Sequence, residues 1–416
     1  MAGRAEGRPL TLGLAPHTPA PWPNERLGIS ELRAKGWRPK PFRDVVLKVA
    51  QLCNLACDYC YVYTMADQSW RDRPAVMAES TWRATAVRMA EHATAHRLPS
   101  MRLILHGGEP LLAGRKRLAS LVASFRAEMG QSCRLDVRMQ TNGVLLDEKT
   151  LATLAEQQVS IGVSLDGTPT SNDRRRQHVN GRGSSAAVDR ALHLLGQSAY
   201  RHAFAGILCT VDPSTEPIPC YETLLAYRPR MIDFLLPHAN WSTPLPFDKG
   251  TPYADWLIQI FDRWYSAPRQ ETSIRLFEDI IVLVLGAAAQ SEQVGLSPVA
   301  VVVVESDGAI ELVDSLKSTY PGACTTGLRI DTDALDRALW HPGVVARQLG
   351  LAALCDTCRS CRLHTVCGGG HYVHRYRAGE GFLNPSVYCA DMFRLIEHIK
   401  QRVTADLRRR ASETRS

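Results

Sequence analysis

The sequence predicts an α/β chain: a partial (β/α)6 barrel of the TIM type, followed by a smaller cysteine-rich domain. Three observations carry this. Six apolar β-like runs alternate with stretches of helical period between Phe42 and about residue 288, the signature of a parallel sheet with right-handed crossovers. A loop bearing Cys53, Cys57 and Cys60 directly follows the first run, at a strand end where barrel folds place their chemistry. Five further cysteines crowd into Cys355 to Cys389, where apolar periodicity fades, as in small domains stabilised by metal. An open doubly wound sheet is the competing architecture, but no G-x-G-x-x-G follows the first run.

Residues 1–41 are rich in proline, with Pro16, Pro19, Pro21 and Pro23 close together, and read as an extended arm with a short helix around Ile29 to Lys35. The core spans 42–288. Its strand candidates are Val45–Val49, Arg102–His106, Leu135–Gln140, Ser160–Ser164, Phe204–Cys209 and Met231–Leu236. Helical periods fall near Ser80–His96, Arg115–Met129, Glu148–Gln157, Ser185–Gln197, Tyr221–Tyr227 and Tyr253–Trp264. A second region, 289–399, opens with a hairpin pattern, Val299–Glu305 and Ala309–Asp314, around the turn Ser306-Asp307-Gly308. Residues 400–416 form a basic tail expected to fray from a helix end.

The chain has 416 residues and a formal net charge of +7. That excess reads as a solvated surface, and nothing resembles a nucleic-acid module. No apolar run approaches the roughly 20 residues a membrane helix needs, and no signal-peptide pattern is present, so a cytoplasmic location is expected. Twelve cysteines are many for such a protein unless they bind metal.

The spacing C-x3-C-x2-C sets three thiolates on one loop. Soft ligands so spaced suit an iron–sulfur cluster or zinc. Structural zinc takes four ligands, and no fourth Cys or His follows closely. Cys133, Cys209 and Cys220 are isolated and read as buried apolar residues.

Cys53-Asn-Leu-Ala-Cys57-Asp-Tyr59-Cys60, read with Gly107-Gly108-Glu109-Pro110 after the second strand, resembles the signature of the radical S-adenosylmethionine (SAM) enzymes. The resemblance implies a [4Fe-4S] cluster on Cys53, Cys57 and Cys60, with one iron open to SAM and Tyr59 as the signature aromatic. It also implies that Gly107, Gly108 and the Glu109 carboxylate hold the SAM amine, and that Ser164 contacts its carboxylate or ribose. Asn142 and Asp166 read equally as caps, and His106 as a packed residue ending its strand.

Cys355-x2-Cys358-x2-Cys361-x5-Cys367-x3-His371, then Cys389, resembles the SPASM extension of that superfamily. Cys358, Cys361, Cys367 and Cys389 match the ligands of its outer auxiliary [4Fe-4S] cluster, with a four-thiolate zinc site as competitor. The inner cluster has lost its usual ligands: Val313 stands for one cysteine and His371 for another. Cys324, Cys355 and His371 are the residues left to substitute for it. Asp314 matches a position proposed as base in sulfatase-maturing relatives, although an aspartate there also serves as a cap. His371, His374 and Arg375 are further candidates to face substrate.

The stretches Tyr61–Trp70, Val313–Lys317, Cys367–Gly370, His374–Tyr376 and Asn384–Cys389 resemble the FxsB-type branch of radical SAM/SPASM peptide maturases. That branch implies cyclophane formation: hydrogen abstraction from a side-chain β-carbon, then attack on an aromatic ring carbon of a ribosomal precursor peptide. The alternatives are formylglycine, thioether or ether formation on the same scaffold, or a zinc-binding interaction protein. The expected partners are the precursor peptide, with a separate leader-binding protein and an electron donor as candidates. The N-terminal arm is too short for a leader-binding domain of its own.

Overall fold

The structure is a computed structural model that describes residues 27–247, 250–289 and 291–413. All six expected strands form: β1 (Asp44–Ala50), β2 (Ser100–Gly107), β3 (Arg134–Thr141), β4 (Val159–Ser164), β5 (Phe204–Thr210) and β6 (Met231–Leu235). They pair in sequence order, every neighbour parallel. Helices at Glu79–Ala95, Arg115–Met129, Glu148–Glu156, Ser185–Gly196 and Pro217–Ala226 link them. Their apolar positions are buried, for example Leu118, Leu121, Val122 and Phe125 on one helical stripe. A short β7 (Ser273–Ile274), not foreseen, adds to β6.

The expected hairpin is present as β8 (Val301–Val304) and β9 (Ala309–Glu311), followed by β10 (Thr325–Arg329). It does not start a separate layer. β8 pairs in parallel with β1, Asp44 opposite Val301 through Leu47 opposite Val304. The sheet therefore has ten strands in the order β10-β9-β8-β1-β2-β3-β4-β5-β6-β7 and stays open. A run of four valines suits a strand covered on both faces, and it closes the β1 edge that would otherwise stay unpaired. The boundary expected at 288/289 is thus no break in the sheet.

Two terminal expectations change or fall outside. Residues 1–26 of the arm lie outside the described residues, while the short helix forms at Ile29–Ala34. The basic tail does not fray at residue 400: one helix runs Cys389–Glu413. Its later turns pack, with Val403 buried and Arg402 Nη1 donating to Asp262 Oδ1 at 2.7 Å. Among the described residues no helix is long and apolar enough to cross a membrane.

A buried charge network ties the hairpin to the base of the cysteine loop. Lys317 Nζ donates to Glu305 Oε1 at 2.6 Å, Arg73 Nη1 lies 2.7 Å from the same oxygen, and Gln51 donates to Glu305 Oε2. Burial alone would raise the Glu305 carboxyl, but Lys317, Lys48 and Arg73 bring it down to about 2. Removing one partner strands the others without water. Lys317→Met should cost about 3–5 kcal/mol in denaturant unfolding; a loss below about 1 kcal/mol would show that the network relaxes without it.

Candidate active site

The C-terminal ends of β1 to β6 open on a cavity of about 500 Å³. Cys53, Cys57, Cys60, Tyr59, Gly107, Gly108, Ser164 and Asp314 all line it. Of the residues expected to hold the first cluster or SAM, Glu109 alone does not.

The glycines are explained by a backbone crossing. Gly108 N donates to the Ala50 carbonyl at 2.8 Å and Glu109 N to the Leu52 carbonyl at 2.9 Å. A Cβ on Gly107 would sit 2.0 Å from the Ala50 oxygen, and one on Gly108 1.8 Å from the Tyr63 hydroxyl. Only glycine lets the end of β2 run this close to the cysteine loop.

Glu109 departs from its expected part. Its carboxylate is wholly buried and accepts from Leu111 N at 3.0 Å, Thr141 Oγ1 at 2.7 Å and Asn142 N at 2.8 Å. It fastens the end of β2 to the end of β3 and does not line the cavity. Asn142, held by that bond, donates through Nδ2 to Asn54 Oδ1 at 2.8 Å and lies 3.6 Å from Cys53 Sγ. Ser164 Oγ accepts from Gln140 Nε2 at 2.9 Å.

Tyr59 is anchored at its hydroxyl, which donates to Asp166 and accepts from Arg176 Nη1 at 2.6 Å. Asp166 in turn accepts from Thr210 N at 2.9 Å. The signature aromatic therefore locks the cysteine loop to the ends of β4 and β5.

Burial pushes the Cys53 thiol up to about 12 and raises those of Cys57 and Cys60. Thiols this enclosed ionise only against a strong positive partner, which a metal centre supplies. Four ligands around one zinc would bring sulfurs to about 3.8 Å, from bonds near 2.3 Å. Among the described residues, no three cysteines hold their sulfurs within 4.8 Å of one another. The loop thus suits a multi-iron cluster better than a single ion.

The same holds for the second cysteine set. Cys358, Cys361, Cys367 and Cys389 line one small apolar cavity of about 80 Å³. Cys355 is not on its wall, though it approaches Cys358 closely enough that the two thiols interact. Cys324 is buried elsewhere, its Sγ 3.4 Å from the Val313 carbonyl. His371 lines the larger cavity, whereas Cys324 and Cys355 do not line it. Cys133, Cys209 and Cys220 are buried as expected.

Asp314 opens a short turn after β9 and points into the cavity. Its Oδ2 accepts from the Lys48 ammonium and from Tyr61 Oη, the latter at 2.8 Å. Burial would raise this carboxyl, but the Lys48 charge, then His106 and the two hydrogen bonds, hold it well below the usual carboxylate range. So paired, it is a weak proton acceptor. His106 Nδ1 lies 3.3 Å from Lys48 Nζ; burial and the nearby ammonium bring this imidazole down to about 4. His106 therefore lines the cavity and does more than end a strand.

Tyr61, Arg176 and His238 also face the cavity, and Lys48 lies buried behind its wall, held on Asp314. Lys48 had a sequence signal, a lone charge inside an apolar strand, and Tyr61 opens a stretch that carries the resemblance; Arg176 and His238 had none. Arg375 is turned away, donating to the carbonyls of Gly368, Gly369 and Gly370.

The Asp314 pairing sets a pH prediction. In the wild type its carboxyl is depressed, so the stabilisation is complete above the usual Asp range near pH 4 and fades only below it. In Lys48→Met the largest lowering cause is gone while burial stays, so the carboxyl should rise even with the Tyr61 hydrogen bond in place, and charge on Asp314 becomes a penalty at high pH that protonation relieves. The stability deficit of Lys48→Met should shrink as pH falls from about 8 to 5. Denaturation midpoints across that range check this, and a constant deficit would contradict it.

Comparison with known proteins agrees with this geometry. Residues 47–212 match the model of the radical SAM superfamily. The cysteine-type anaerobic sulfatase-maturating enzyme of Clostridium perfringens (strain 13 / Type A) is 24% identical over 372 residues, covering 83% of this chain and 93% of that one. The structure of native anSMEcpe with bound AdoMet and Cp18Cys peptide superposes with a TM-score of 0.73 at 21% identity, covering 87% of this chain and 98% of that one. Streptococcus suis SuiB bound to precursor peptide SuiA gives a TM-score of 0.58 at 14% identity, covering 88% and 80%. The chain carries a radical SAM domain on an α/β fold and is a radical SAM enzyme homologous to the SPASM-type anaerobic sulfatase-maturating enzymes.

Proposed function

We propose that this enzyme oxidises a side-chain β-carbon of a ribosomally made peptide. The observation that carries the reading is the single cavity that Cys53, Cys57, Cys60 and Asp314 share. Cys53, Cys57 and Cys60 would hold a [4Fe-4S] cluster, and Gly107, Gly108 and Ser164 would border bound SAM. Together these cofactors supply hydrogen-atom abstraction. Cys358, Cys361, Cys367 and Cys389 would hold one accessory cluster suited to electron transfer.

The chain's own part is to place the substrate and manage a proton. After one hydrogen atom leaves the β-carbon, an electron and a proton must follow. Asp314 stands in the cavity wall, oriented by Tyr61, as the carboxylate assigned to that proton. For Asp314 to accept a proton, the Lys48 ammonium has to leave it. His106 Nδ1, within 3.3 Å, offers that ammonium another acceptor.

Homology supports conversion of a peptide cysteine or serine to formylglycine better than the C–C crosslink expected from the sequence. From cysteine, loss of the hydrogen atom, electron and thiol proton leaves a thioaldehyde, and water then replaces sulfide to give the aldehyde. The crosslink stays as second reading because of the stretches around Tyr61–Trp70 and Cys367–Gly370. Its product also loses two hydrogens, through a bond to an aromatic ring.

The test uses cluster-loaded enzyme, SAM, a reductant and a cognate peptide. An aldehyde captured by an aminooxy probe identifies formylglycine; loss of two hydrogens without aldehyde, and missing fragment ions between two residues, identifies the crosslink. Formation of 5′-deoxyadenosine with no change in peptide mass would overturn both. Asp314→Asn should lower peptide turnover by roughly 10²–10⁴-fold while 5′-deoxyadenosine still forms; an unchanged rate would remove Asp314 from the mechanism.

A further inference from the structure

One group on the cavity wall has no part in the chemistry above. His238 follows β6, while His371 precedes and His374 lies within a short turn, Tyr372–Arg375, after the triple glycine. Each offers one ring nitrogen, and the three nitrogens lie within 4.8 Å of one another. The ring centroids are 5.7, 6.2 and 5.2 Å apart.

The rings are enclosed yet incompletely bonded. His238 Nδ1, His371 Nδ1 and His374 Nε2 are buried with no hydrogen-bond partner. Leaving one such atom unpaired costs about 1–3 kcal/mol, and here three neighbouring rings each carry one. The other clustered set, His92, His96 and Asp336, shows the contrast. There His92 is occupied on both nitrogens, by Asp336 and by the Phe42 carbonyl, and His96 bonds Asp336 at 3.0 Å. That set is satisfied; the cavity set is not.

Rigid scaffolding also points to a site rather than loose packing. Gly368, Gly369 and Gly370 have φ of +61°, +79° and +68°, wrapping their carbonyls around the buried Arg375 guanidinium at 2.6, 3.0 and 2.7 Å. A Cβ on Gly368 would sit 1.7 Å from the Gly295 carbonyl. The turn carrying His371 and His374 is thereby fixed. His374 also lies beside the Pro237 carbonyl, next to His238.

We propose that His238, His371 and His374 form a mononuclear site for a divalent cation of the zinc class. Three imidazoles with an open fourth position are a donor set that zinc accepts. Glu292 is 4.0 Å from His371 Nε2 but is paired with Arg347, so the fourth position faces the cavity. It would take an oxygen or sulfur donor of the substrate. The site stands whether the product is an aldehyde or a crosslink.

The test is metal analysis of anaerobic, cluster-loaded enzyme dialysed against zinc and then against metal-free buffer. One zinc per chain is expected, with an X-ray absorption shell of nitrogen or oxygen at about 2.0 Å and no sulfur at about 2.3 Å. His238→Gln and His374→Gln should each lose most of that zinc and keep their iron. No retained zinc, zinc on sulfur, or zinc unchanged in both variants would overturn the site. If a variant loses iron as well, the absorption spectrum of the wild type alone decides.

Discussion

The structure depends on how closely the backbone beyond β1 passes the end of β2. Two backbone hydrogen bonds, Gly108 N to Ala50 and Glu109 N to Leu52, join the cysteine loop to the second strand. The Glu109 carboxylate extends the join to Thr141 and Asn142 at the end of β3. Three parallel strand ends are thereby clamped into one rim. The cysteine loop hangs from that rim, and Tyr59 secures its far side to β4 and β5 through Asp166. Motifs far apart in sequence are thus one mechanical unit.

A second constraint comes from the hairpin that the C-terminal region adds to β1. Because β8 pairs with β1, Asp314 arrives opposite Lys48, a charge that a strand interior would otherwise reject. The pair also shows why position alone does not make a catalytic base. Burial and attraction act in opposite directions on Asp314, and attraction wins. A carboxylate so stabilised stays anionic near neutrality but takes a proton only when its partner moves. The same hairpin carries Glu305 and Glu311, whose counter-charges Lys317 and Arg73 lie in the interior.

Much of this was legible beforehand. Strand positions followed from apolar runs of the right length, and the six of the core deviate from expectation by two residues or fewer at their ends. The two cysteine sets followed from spacing, since short gaps force neighbouring thiols onto one loop. What local pattern misjudged has physical causes. The tail past residue 400 is basic and polar overall, but a few contacts such as Val403 and the Arg402–Asp262 pair keep it helical. Glu109 was expected to face a ligand, yet two of the three hydrogens that claim it, from Thr141 Oγ1 and Asn142 N, come from the end of β3, over thirty residues away.

The sequence by itself determined the chemistry available: three thiols in one loop, a glycine turn after the second strand, and four thiols near the C-terminus. These are local features, set by residue type and spacing. Only the tertiary structure decided which long-range partners meet. It joined β8 to β1, brought Lys48 onto Asp314, and gathered His238 with His371 and His374 across more than a hundred residues. Such contacts depend on strand register and on the path of a fixed turn, and neither leaves a signature in the residues nearby.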